Sequence, residues 1–91
     1  MGQIARVIEE KLTVAFRPTE LQVVDDSARH AGHAGARDGG ESHFNVVIGA
    51  PVFEGQSRIQ RQRSVYAALA DELAGPVHAL SVKAFAPGEQ P

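Results

Sequence analysis

Ninety-one residues, 43% of them hydrophobic, with nine basic and eleven acidic side chains and no cysteine, describe one small folded domain, residues 1–91, and no second core. A net charge of −2 excludes a general electrostatic pull towards phosphate backbones, so any nucleic-acid surface has to be a local patch. The lack of cysteine excludes disulfides, fits a reducing compartment, and leaves imidazole as the soft ligand for any transition metal.

Ile4, Ile8, Leu12 and Ala15 recur every three or four residues with Val7 beside them, while Arg6, Glu9, Glu10 and Lys11 fill the remainder. This spacing predicts an amphipathic helix over 3–15, stopped at Arg17-Pro18 because a residue before proline disfavours the helical region. Short, apolar and β-branched, Leu21 to Val24 lies at the centre of a predicted strand over 20–26. Residues 27–42, with Gly32, Gly35, Gly39 and Gly40 and little apolar bulk, read as a long loop, a length that usually carries function or disorder.

A second strand is predicted over 43–49, with Phe44, Val46 and Ile48 on its core face. Ser57 is a helix N-cap candidate for a helical region over 57–74 carrying Ile59, Val65, Tyr66, Leu69 and Leu73. Gly75-Pro76 ends that region. A third strand follows over 77–85, with His78, Leu80, Val82 and Ala84 on one side. The order is helix, strand, strand, one or two helices, strand: an α+β domain with a three-stranded sheet.

No stretch approaches the roughly 20 apolar residues of a membrane span. MGQIAR lacks the apolar core of a signal peptide, so a cytoplasmic protein with no membrane partner is expected.

The four histidines, His30, His33, His43 and His78, are the residues with most chemical content. His30 and His33 sit in the glycine-rich loop, where they either fold onto a metal or stay solvated. Their spacing is not that of a zinc protease, since Ala31 stands where the general base belongs. His78 is either a ligand or a half-buried histidine at a sheet edge. His43, opposite in phase to the core side of its strand, reads as structural or exposed rather than as a ligand. Asp25, Asp26 and Glu41 flank the loop as turn formers. No serine has a nucleophile-elbow context, so no enzyme is expected, and a zinc hydrolase built on His30, His33 and His78 lacks a general base. Arg58, Arg61 and Arg63 form either a phosphate-contacting patch or a solvated helix face. Gly32-His-Ala-Gly35 matches the GxxG string of a KH domain but lies between two predicted strands instead of two helices.

Taken in order, Val24-Asp-Asp-Ser27, His30-Ala-Gly-His33-Ala-Gly35, Glu41-Ser-His-Phe44, Phe53-Glu-Gly55, Arg61-Gln-Arg63, Val65-Tyr66, Leu69-Ala-Asp-Glu-Leu73 and Val77-His-Ala-Leu80 resemble the BolA family over about residues 4 to 85. Gln62 departs from the pattern, which commonly has histidine between the two arginines. The resemblance implies a KH-like αββααβ domain of class II KH type, with a three-stranded mixed sheet and helices on one face. It implies a partner, a monothiol glutaredoxin, and a cofactor, a 2Fe–2S cluster bridged between the two proteins with glutathione and absent from the isolated chain. The implied roles are iron–sulfur trafficking or iron regulation, with DNA-binding regulation of stress response and cell morphology as the alternative. Carried over by motif, the cluster ligands are His78 and either His30 or His33, His30 matching the Ser-x-x-His register; Arg58, Arg61 and Arg63 serve the DNA alternative. Whether the free protein forms a homodimer stays open.

Overall fold

The computed structural model describes residues 2–26 and 42–89. Apart from Ser42, the predicted loop over 27–42 lies outside the described residues, and His30 and His33 with it. The described elements run α1 (Gln3–Phe16), β1 (Glu20–Asp25), β2 (His43–Gly49), a short 3-10 turn (Pro51–Phe53), α2 (Arg58–Ala68), α3 (Ala70–Ala74) and β3 (Ala79–Phe85).

The sheet order is β1-β2-β3. β1 and β2 pair antiparallel, with Val23 opposite Val46, while β2 and β3 pair parallel, with Val46 opposite Val82. A parallel pair needs a crossover long enough to return the chain to its starting end, and the 3-10 turn, α2 and α3 provide it. Phe44, Val46 and Ile48 point from β2 into one core together with Ile8 and Leu12 of α1 and Val65 and Leu69 of the crossover. The opposite face of the sheet has Glu20, Gln22, Val24, Ser81 and Lys83 exposed. This is the expected α+β architecture, a three-stranded mixed sheet with its helices gathered on one face.

The buried stripe of α1 is Ala5, Ile8 and Leu12, continued by half-buried Phe16, whose ring lies 5.2 Å from that of Phe53. Ala15, expected on the stripe, is exposed, because the stripe turns towards Phe53 and leaves position 15 facing solvent. Arg17 ends the helix in the left-handed region (φ 48°), its N–H donating to the Thr13 carbonyl 3.0 Å away. That conformation reconciles a helix end with the following proline, which bars the ordinary helical angles at residue 17. Lys11 ties α1 to α3 through Glu72, with Nζ 2.8 Å from one carboxylate oxygen.

Ser57 caps α2 as expected. Its hydroxyl accepts from the Gln60 N–H, and the Gln60 side chain accepts from the Ser57 N–H, a reciprocal capping box. The helical region expected over 57–74 as one or two helices is two, parted at Leu69, whose angles (φ −110°, ψ 22°) leave the helical well while its side chain enters the core. Ile59, on the first turn of α2, is 60% exposed. At the end of β2, Gly49 accommodates the Phe85 ring; a Cβ there would stand 2.6 Å from two ring carbons.

Candidate functional site

Parallel pairing places the start of β2 beside the start of β3, and this brings two histidines from distant parts of the chain together. His43 opens β2 and pairs with Ala79, so His78 stands immediately before β3. The two rings lie 6.4 Å apart between centroids with their planes 21° from parallel. Ser42 is the hub. It is buried, and its carbonyl accepts from the N–H of His78 at 2.8 Å and from that of Ala79 at 3.2 Å. Its hydroxyl lies 2.9 Å from Nδ1 of His43. One buried serine thus fixes the backbone of His78 and the ring of His43.

His78 itself is exposed, and β3 begins one residue later. Of the two readings of His78, the half-buried edge histidine does not hold, and the strand expected over 77–85 starts at Ala79: Val77 fills the core and His78 turns out, its backbone bonded to Ser42 ahead of the ladder. His43 is half-buried, and Asp26 closes the site from β1, its N–H donating to the His43 carbonyl at 2.8 Å. A shallow groove of about 290 Å³ runs along this end of the sheet past Asp26, His43, Asn45, Ala79 and Ser81. Among the described residues no three histidines or carboxylates gather closely enough to hold a metal ion.

Chemically, this end of the sheet presents an accessible imidazole on a backbone fixed by hydrogen bonds, with a second imidazole oriented beside it. A ring held through Nδ1 presents a defined Nε2, the arrangement by which outer partners set the tautomer of metal-binding histidines. The pairing of His43 with His78 was invisible in the sequence, where they are separated by the whole crossover. The only available signal was the neighbouring core residue Phe44, which fixes the phase of the strand.

Arg58 and Arg63 are exposed on α2, whereas Arg61 is turned inward with 12% of its side chain exposed. Arg61 therefore leaves the expected patch. Its guanidinium makes a two-point contact with Glu89, at 2.6 and 3.1 Å, and a third bond to the Ala84 carbonyl at 3.3 Å. Glu89 arrives on a tight turn built by Pro87 and Gly88 (φ 89°), and its carboxylate also accepts from the Ala86 N–H at 2.9 Å. The Arg61 hydrogen bonds, then the Ala86 N–H, hold the Glu89 carboxyl down at about 2.

The folded value lies below the roughly 4.3 of an unfolded glutamate, so this pairing stabilises the fold fully above that value and is lost as pH falls towards 2. We expect the Glu89 carboxyl carbon, followed by NMR, to titrate near pH 2 and the turn to loosen with it; titration near pH 4 would show the pair absent in solution.

Comparison with known proteins places the chain. A family model described as BolA-like protein matches residues 12–89. SufE-like protein 1, chloroplastic/mitochondrial, of Arabidopsis thaliana is 44% identical over 98% of this chain, which spans only 25% of that protein's length. The DNA-binding transcriptional regulator BolA of Escherichia coli is 46% identical over 86% of this chain and 70% of its own. The solved BolA domain of SufE1 from Arabidopsis thaliana superposes with a TM-score of 0.88 at 43% identity, covering 99% of both chains. Sequence, sheet order and superposition agree over nearly the whole length, and the chain belongs to the BolA-like family.

Proposed function

We propose that this chain is an accessory protein that binds a monothiol glutaredoxin and shares a bridged 2Fe–2S cluster with it, in iron–sulfur trafficking or iron regulation. The observation that carries this reading is His78, an exposed imidazole on a backbone anchored twice to buried Ser42. A solvent-facing side chain on a backbone held in place is what a ligand donated to a second protein needs.

The donor set fits. Two histidines can replace two thiolates on one iron of a 2Fe–2S cluster, so a cysteine-free chain can furnish one half of a shared site. In this reading His78 is one ligand and His30 or His33 the other, with His43 orienting the site. The partner contributes its cysteine and glutathione. When bound, the cluster supplies a transferable, redox-active pair of irons; this chain's part is to hold and orient imidazole nitrogens.

Visible circular dichroism tests the reading, with the protein titrated without oxygen into a monothiol glutaredoxin carrying its cluster. The expected outcome is a changed spectrum that saturates at about one equivalent, as nitrogen replaces sulfur on one iron. An unaltered spectrum through excess protein would refute it.

A second reading, a DNA-binding regulator, is supported by the exposed Arg58 and Arg63 and by what the Escherichia coli relative is named for. With Arg61 held by Glu89, that patch is reduced to two of its three arginines.

A further inference from the structure

β3 is an edge strand of the sheet, and two side chains of α2 cover carbonyls on its outer side. Tyr66 donates its hydroxyl to Leu80 at 3.0 Å, and Arg61 donates to Ala84. Between the start of α2 and this edge runs a groove of about 410 Å³, lined by Gln56, Arg58, Arg61, Gln62, Lys83 and Glu89. Three of these are cations, and the only anion is the carboxylate of the turn following β3. The groove lies towards the far end of β3 from His78, since Arg61 reaches Ala84 while His78 precedes Ala79.

Two buried polar atoms here lack partners among the described residues: Nε of Arg61 and Oε1 of Gln56. The Gln56 amide has a fixed orientation, because Nε2 donates to the Val52 carbonyl at 3.1 Å. Buried groups of this kind call for an explanation. One is a donor needing an acceptor and the other an acceptor needing a donor. A phosphodiester backbone brings acceptors only, whereas a peptide backbone brings both, and an acidic side chain reproduces the carboxylate already seated on Arg61.

We propose that this groove is a docking site for an extended acidic peptide segment of a protein partner, with Glu89 as the chain's own occupant, displaced when the partner's carboxylate takes the Arg61 fork. Extended peptides commonly dock along sheet edges; here Tyr66 and Arg61 already take the Leu80 and Ala84 carbonyls, so side-chain contacts carry most of the recognition. Release of Glu89 has a local cost, since the Ala86 N–H loses its acceptor and the turn loosens, but Pro87, Gly88 and Glu89 are all exposed and the Glu89 N–H still reaches the Ala86 carbonyl at 3.0 Å. The proposal stands independently of cluster sharing.

Fluorescence anisotropy with a labelled oligoglutamate peptide at low salt tests it on the full chain. Glu89→Gln removes the internal competitor and should tighten binding roughly tenfold over the native chain, the scale of one charge-assisted hydrogen bond. Adding Arg61→Lys to Glu89→Gln, which keeps the charge but loses the fork, should reverse that gain. In NMR spectra of the Glu89→Gln chain the peptide should shift the Val82 and Ala84 amides and leave His78 in place, a readout that stands if the double variant folds poorly. Equal affinity for native and Glu89→Gln chains would overturn the proposal, as would peptide shifts centred elsewhere. A DNA duplex binding the Glu89→Gln chain more tightly than the peptide would overturn the choice of occupant.

Discussion

His78→Ala should abolish the spectral change on mixing with a cluster-loaded glutaredoxin while leaving the fold at its native stability. The side chain is exposed, and the two hydrogen bonds at this corner run from main-chain N–H groups to the Ser42 carbonyl, which alanine at position 78 preserves. Substitutions at exposed positions away from special backbone features generally stay within about 0.5 kcal/mol, so the melting temperature should move by no more than a few degrees. If His78 holds iron as proposed, its loss is not graded in the same way, since among the described residues no other imidazole stands at its position just before β3. His43→Ala is the informative companion. In its positioning role it should weaken cluster sharing without removing the nitrogen-ligated spectrum, whereas a spectrum identical to that of His78→Ala would make it a ligand. A native spectrum from His78→Ala would end the cluster-sharing proposal.

The largest effect on stability is expected at the neighbouring residue. Phe44 is 1% exposed and faces the centre of the core from β2. Truncating a buried phenylalanine typically costs about 3–5 kcal/mol, the transfer of the ring plus the cavity left behind. A domain of this size commonly has roughly 5–15 kcal/mol in hand. Phe44→Ala should therefore lower the thermal midpoint by about 15 °C or more, or leave the chain unfolded at 37 °C. Val14→Ala, at a position 81% exposed on α1, should change it within about 0.5 kcal/mol. Urea titrations of both variants, compared at equal slope, check the difference; a Phe44→Ala chain with a near-native midpoint would mean that the core closes over the cavity.

Much of the fold was legible because its signals are local. The alternation of Phe44, Val46 and Ile48 marked the face of β2, Ser57 marked the start of α2, and Gly75-Pro76 marked the end of α3. The errors have equally local causes. Ala15 has the right spacing for burial, but the core ends before it reaches that position, and spacing carries no information about where a neighbouring layer stops. Two helices in the crossover were among the expectations, but the position of the break was not legible, since leucine favours helices and Leu69 itself packs into the core. The site was half legible. His78 was singled out by resemblance to a family, but its partners Ser42 and His43 depend on which strands pair and in which register. Arg61 and Glu89 belong to the same class of non-local facts. Nothing in the chain announced which cation the Glu89 carboxylate would find.

The crossover between β2 and β3 has a consequence for when the histidine site can exist. His43 and His78 belong to strands adjacent only after the intervening helices have folded back and the parallel ladder has closed, so unfolded chains cannot present the pair. Closing a long connection carries an entropic cost before any contact rewards it, which places this juncture among the slower events of folding. A ligand gripped from both sides of the juncture would act as a removable staple, binding the native state and not its precursors. At a hundred times its dissociation constant such a ligand adds about 2.7 kcal/mol to stability. Occupancy would then serve as quality control: only a finished molecule can load, and a loaded one resists coming apart.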